Sequence, residues 1–198
     1  QDAPASVYVI TAQDIRRSAA TRLPEVLRLA PNLQVAQVNS DVWAITARGS
    51  NTAIANKLLV LLDGRTIYSP LFAGVIWDMH DLVLEDIERI EVVSGPGGTL
   101  WGANAVNGVI NIVTRSAAQT PGTLATVQRS SQGGREALRW GGTMGPAQVR
   151  VWGTAIDVDN SVRLDGSERG DARSRRTLGF RADWDAGPGQ LMLTGEQA

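Results

Sequence analysis

Residues 177–186, TLGFRADWDA, set Leu178, Phe180, Ala182, Trp184 and Ala186 in strict alternation with Thr177, Gly179, Arg181, Asp183 and Asp185. Side chains of a strand point to opposite faces in turn, so this spacing dictates a β-strand with one apolar and one polar face. Leu138, Trp140, Gly142 and Met144 repeat the pattern against Arg139, Gly141 and Thr143, and 149–158 is strand-like with less sorted faces. Another strand starts at 191–195. The connections are a tight Gly145-Pro146 turn, a long charged stretch over 157–175, and a tight AGPG turn at 186–189. Short turns at one end and long loops at the other are how outer-membrane barrels are built, and strands of about 10 residues suit that span. A half-buried soluble antiparallel sheet alternates in the same way. On these residues alone both readings stand. Four or five strands cannot close a barrel whose minimum is about eight. The expectation is a piece of a longer chain, with an open sheet as the other possibility.

Composition narrows the field. A chain of 198 residues holds one large or two small domains. Its apolar fraction of 43% suits a folded protein. A net charge of −1 lacks the basic footprint of nucleic-acid binding. With no cysteine, disulfides, Cys-ligated zinc and thiol catalysis are excluded for this chain. The longest apolar run, Leu58–Leu62, is far short of the roughly 18 residues a membrane helix needs. The polar first six residues do not read as a signal peptide. A β-barrel passes this filter, because alternating strands leave no long apolar run.

The N-terminal half is mixed. Thr11 with Asp14 forms a capping-box pattern for a helix through about Arg17. Thr21 is expected to cap a second helix with Pro24 in its first turn, Leu23, Val26, Leu27 and Ala30 on one face, and Pro31 as its stop. Short β-type runs follow at 33–38, 42–47 and 58–62, the last ending in an Asp63-Gly64 turn. A helical turn over 82–87 leads into a strand at 89–93. A glycine-rich loop, SGPGGTLWGANAVNG, then separates that strand from another at 109–113. SAAQTPG at 116–122 reads as a linker.

The glycine loop invites a nucleotide reading, which fails on detail. A P-loop needs Gly-Lys-Ser/Thr where Gly102-Ala103-Asn104 stands, and Leu100 occupies the third-glycine position of a dinucleotide fingerprint. His80, the only histidine, lies between Asp78 and Asp81 in WDMHDL. Adjacent positions do not converge on one point, so it reads as a surface loop residue, with metal or acid–base work as the sharper alternative. No convergent set of titratable groups is present, and neither enzyme activity nor a cofactor is expected.

From Val7 to Arg115 the sequence closely resembles the plug domain of TonB-dependent outer-membrane receptors. The resemblance runs through VYVITAQDI, LPEVLRLAPNLQV, TARGS, LLVLLDGRTIY and DIERIEVVSGPGGTLWGANAVNGVINIVTR, in family order. It implies an α+β plug with a small mixed β-sheet and short helices over 1–118. Over 119–198 it implies antiparallel strands from the start of a 22-stranded transmembrane β-barrel, the class whose lumen is plugged. The glycine loop then becomes a structural gate element: Gly95, Pro96, Gly102 and Gly108 allow close backbone approach, and Asn104 supplies an amide to loop backbone.

The resemblance also implies that Arg48, in TARGS, helps lock plug to barrel wall through acidic barrel residues. A second arginine is expected just before the Gly-Pro, where this chain has Ser94. By position, 51–57 and 66–78 are apical loops, so Asn51, Tyr68, Phe72 and Trp77 are the candidate ligand contacts. Phe72 and Trp77 are read equally well as packing against the barrel wall. The mixed-charge stretch 157–175 is expected to be a solvated extracellular loop.

The implied function is a gated, energy-coupled importer of a scarce nutrient such as a ferric siderophore or cobalamin, in the cell outer membrane. Its implied partner is a TonB-type inner-membrane protein whose gripping segment is not found before Ser6. The rival is a soluble periplasmic plug-like binding module without transport. Taken alone, the tail strands are expected to expose edges and an apolar face bearing Trp140, Trp152, Phe180 and Trp184, and either to associate with another copy or to remain poorly ordered.

Overall fold

Residues 6–47, 53, 57–72, 74–95, 101 and 104–198 are described by the computed structural model of the chain. Contacts divide it into two units, one of Gln1–His80 with Ile87–Thr114 and the other of Asp81–Asp86 with Arg115–Ala198.

In the first unit the Thr11–Asp14 capping box is formed. The Asp14 carboxylate accepts from the Thr11 backbone N–H, and Thr11 Oγ1 accepts from the Asp14 N–H. It opens α1, Ala12–Arg17, directly after strand β1, Ser6–Thr11. The second helix, α2 at Leu23–Leu27, is capped one residue later than expected, at Arg22. Glu25 is the reason: its carboxylate folds back to accept from the backbone N–H groups of both Thr21 and Arg22. Leu23, Val26, Leu27 and Ala30 are buried as their spacing requires. A hairpin of β2, Gln34–Gln37, and β3, Trp43–Thr46, follows, with the Trp43 ring about equally close to the guanidinium carbons of Arg22 and Arg28, 5.0 and 5.1 Å from its centroid.

The main sheet of this unit comprises β1, β4 (Leu58–Leu62), β5 (Arg65–Thr66), β6 (Ile87–Ser94) and β7 (Gly108–Thr114), ordered β1-β6-β7-β4-β5. Only β4 and β7 are parallel. That makes the sheet mixed, and its central strands carry the buried run Leu58, Val60, Ile90, Val92, Ile110 and Ile112. Asp63 and Gly64 take positive φ of 48° and 80° in the hairpin turn between β4 and β5. The Asp63 carboxylate also accepts from the backbone N–H and the hydroxyl of Thr114, both at 2.7 Å, which ties the turn to the end of β7.

The second unit is an antiparallel meander of β8 (Gly122–Ser130), β9 (Gly133–Met144), β10 (Ala147–Val158), β11 (Arg173–Ala186) and β12 (Gly189–Gln197). Strand β8 mixes apolar and polar residue types on both faces, so its sequence carries no clean alternation. The stretch 157–175 is shorter as a loop than expected, because β10 continues to Val158 and β11 begins at Arg173. The intervening residues are stapled locally: Ser161 bonds Asp171 through backbone and hydroxyl, and Asn160 bonds Glu168 and the Ala172 N–H. The β8–β9 turn, at the same end of the sheet, is short.

The expected linker is not slack. Its residues Ala117–Gln119 form a 3-10 turn capped by Ser116 and Gln119. Ala117 and Thr120 are buried, and the Ala117 N–H donates to Asp183 at 2.7 Å.

Candidate functional site

The register of the meander sorts its side chains onto two unlike faces. Val127, Leu138, Trp140, Val151, Leu178, Phe180, Trp184 and Leu193 share one face, and many of them are widely exposed, with Leu178 at 71%. Arg135, Arg139, Arg150, Thr154, Thr177 and Arg181 lie on the other and are buried, with Arg135 at 1%. A soluble sheet puts its apolar side chains inside and its charges out. This sheet does the reverse. Trp152 belongs to the arginine face and not, as expected, to the apolar one: its indole lies where a Cβ on Gly179 would be, with the Arg150 guanidinium 5.4 Å from its ring.

Buried charges need partners. Those of the arginine face come from Asp81–Asp86, whose last three residues form a 3-10 turn. Arg139 Nη1 donates to Asp86 Oδ1 at 3.0 Å, and Arg150 Nε stands 3.5 Å from Asp86 Oδ2. Arg135 Nη2 donates to the Leu82 carbonyl at 2.7 Å, with its Nη1 3.8 Å from Glu85. Arg175 Nε is 3.9 Å from Asp81. Arg150 Nη1 also donates to the Arg115 carbonyl at 2.9 Å, and the Arg115 N–H donates to the Asp86 carbonyl at 2.8 Å. Burial pushes the Asp86 carboxyl above its ordinary range, outweighing the downward pull of Arg150 and Arg139. The cluster therefore fixes position more than it adds stability, as expected when desolvation offsets attraction.

The sequence alone does not bring these residues together: Arg139 reads there only as a polar-face position and Asp81 only as a neighbour of His80. The signal was present in REALR, where Arg135 and Arg139 fall on the polar face of an alternating strand. The partners were not legible, because Asp81, Glu85 and Asp86 lie some 50 residues earlier. Polarity is also the reverse of the lock expected for Arg48: here the carboxylates come from the N-terminal half and the arginines from the strands.

Of the residues expected to act, Arg48, Asn51, Pro96 and Gly102 lie outside the described residues. Tyr68 is half-buried, at the start of a short loop closed by a Ser69–Gly74 bridge. Phe72 is 51% exposed beside the more exposed Leu71, whereas Trp77 is buried at 5% in a 3-10 turn. The exposed apolar surface of this stretch is therefore made by Leu71 and Phe72 without Trp77. Gly95 has a φ of 129° and Asn104 one of 73°, a left-handed conformation that asparagine tolerates better than most residues. A Cβ on Gly108 would collide with the Val93 carbonyl. Ser94, at the position of the missing arginine, is buried, and its hydroxyl accepts from Asn32 Nδ2 at 2.7 Å.

A mixed-sheet domain followed by antiparallel strands with an exposed apolar face and a buried arginine face is a plug domain with strands resembling the start of its β-barrel. The TonB-dependent Receptor Plug Domain family model matches residues 1–109, and the chain belongs to this family. It is 32% identical over 185 residues to the Vitamin B12 transporter BtuB of Vibrio cholerae (strain ATCC 39315 / El Tor Inaba N16961), covering 90% of this chain and 29% of that protein. Against the Vitamin B12 transporter BtuB of Vibrio vulnificus (strain CMCP6) it is 36% identical over 135 residues, 67% of this chain and 21% of that one. The chain thus spans less than a third of the length of these curated relatives.

Among solved structures it resembles the ferric yersiniabactin uptake receptor FyuA from Yersinia pestis, with a TM-score of 0.71 at 19% identity, covering 97% of this chain and 31% of that one. It also resembles the copper transporter OprC, with a TM-score of 0.73 at 16% identity, covering 96% of this chain and 30% of that one. At these identities the likeness concerns the fold.

Proposed function

We propose that this chain is the plug, over 1–118, and the first barrel strands, over 119–198, of an outer-membrane receptor that imports a scarce nutrient by energy-coupled gating. The observation that carries the reading is the inverted sheet. Exposed Leu138, Trp140, Leu178 and Phe180 suit lipid, while buried Arg135, Arg139 and Arg150 grip a segment of the plug sequence. Strands with an apolar outward face and a polar lumen are what a transmembrane barrel requires. The ligand class is cobalamin or a ferric siderophore, with cobalamin supported by the sequence relatives, both vitamin B12 transporters. A TonB-type inner-membrane protein supplies the force. Asn51, Tyr68 and Phe72 are proposed to meet the ligand, with Trp77 supporting their loop from beneath. Arg48 is proposed to face the barrel wall, and Gly95, Pro96, Gly102, Asn104 and Gly108 to form the gate loop.

The test is uptake of radiolabelled cobalamin and of a ferric siderophore by cells whose sole outer-membrane receptor carries this chain, with and without the inner-membrane coupling protein. Accumulation of one ligand that disappears without the coupling protein is expected. Binding without accumulation under either condition would refute import.

A further inference from the structure

Arg150 holds the two residues that flank one ribbon of the chain. Strand β6 begins at Ile87 and β7 ends at Thr114, and these two residues are cross-strand partners. The residue before the ribbon, Asp86, and the residue after it, Arg115, are both bound by the Arg150 guanidinium: one through its carboxylate, the other through its carbonyl. They are also bound to each other, Arg115 N–H to Asp86 carbonyl. The guanidinium is itself held beside the Trp152 ring and is buried. Arg139, Arg135 and Arg175 grip the same segment independently, from strands that are hydrogen-bonded to neighbours on both sides.

We propose that Asp81–Asp86 and Arg115 form a fixed anchor that stays with the strands when the rest of the plug sequence is displaced, with Arg150 as its positioning residue. This rests on the gated-import reading. The chain passes between its two units at 80/81, 86/87 and 114/115, and these are the joints. The pairing of β6 with β7 is irregular between Ile87 and Arg89, right beside two of them. A load carried along β6 therefore meets a bulged, weakened ladder before it reaches Asp86. Beyond the bulge it meets charge-assisted bonds, which are roughly twice as strong as neutral ones. Yielding starts at the joint and leaves the anchor in place.

The chain has no cysteine, so single thiols report cleanly within it. In the full-length receptor, Val83→Cys and Ile90→Cys, both buried positions, are exposed to a membrane-impermeant maleimide during energised uptake of whichever of cobalamin and the ferric siderophore accumulates. Ile90→Cys is expected to label about tenfold faster with uptake than at rest, and Val83→Cys to keep its resting rate. Adding Arg150→Gln raises Val83→Cys labelling part of the way to the rate of Ile90→Cys, because Arg139 and Arg135 still hold the segment, and Arg150→Lys restores part of the protection. Equal labelling of both thiols in the otherwise unchanged receptor overturns the anchor, as does resting-rate labelling of both while uptake proceeds.

If neither ligand is taken up, the import reading fails, and the anchor is judged by hydrogen exchange in bilayers. There Arg150→Gln must speed the Asp86 and Arg115 amides together by about tenfold and leave Val92 unchanged. Independent or unchanged exchange at those two amides refutes it.

Discussion

Gly108→Ala tests whether the glycine that opens β7 is needed for reasons of space or of backbone freedom. Gly108 begins β7 between Ser94 of β6 and Leu58 of β4, in the middle of the sheet. A methyl there collides with the Val93 carbonyl, lies 3.2 Å from Ala47 Cβ and 3.5 Å from Leu58 Cδ1. The nearest atom is backbone in a paired strand and cannot rotate away, so the sheet must shift, at about 1–3 kcal/mol for overpacking. Gly64 is the control. Its φ of +80° disfavours alanine by about 1–2 kcal/mol, but nothing lies within 4 Å of a new Cβ. Stiffening of the unfolded chain favours alanine at both positions by about 0.4–1 kcal/mol and so does not separate them. Gly108→Ala is expected to speed exchange of the β4 and β7 amides about 5- to 150-fold, the range that 1–3 kcal/mol corresponds to, and Gly64→Ala to do less. Native-state hydrogen exchange reads both. If Gly108→Ala exchanges like the unmodified protein while Gly64→Ala is the weaker sheet, the steric reasoning is wrong.

Three further outcomes are expected. Asn111 and then Arg89 hold Glu91 below the usual carboxylate range, so its contribution to stability is full above the unfolded value and is lost as pH falls through the folded one. Asp86, raised by burial, has the opposite sign: its contribution is full below the unfolded value and is lost as pH rises through the folded one. Denaturant titrations across acid pH should flatten on the corresponding side for Glu91→Gln and for Asp86→Asn. Gly179→Ala must push the Trp152 indole off its strand, and a changed near-ultraviolet circular dichroism with loss of about 1–3 kcal/mol is the expected result. Leu178→Arg, on the outward apolar face, is expected to cost about 2–4 kcal/mol if it lies near the bilayer midplane, and bilayer refolding equilibria would show it.

The resemblance to a plug, the alternating strands and the short helices were all legible in the sequence, because each rests on local periodicity or on long runs of matching residues. The Thr11–Asp14 cap and the buried face of Leu23, Val26, Leu27 and Ala30 needed only neighbours three or four residues away. Even there a side chain could move a boundary, as Glu25 does by folding back on Thr21 and Arg22. Strand β8 mixes apolar and polar residue types on both faces, and 116–122 reads as a linker in sequence because burial of Ala117 and Thr120 depends on strands that come later.

Alternation fixed that the strands have two faces. It did not say which face is inside: Trp152 falls with the arginines because its register opposite Gly179 places it there. The ion-pair cluster is wholly a product of tertiary structure. Charge attraction falls steeply with distance and solvent, so a lone aspartate in a sequence names no partner until folding brings two arginines from distant strands to it and removes the water. Asp86 and Arg139 are separated by 53 residues along the chain and by 3.0 Å in the fold.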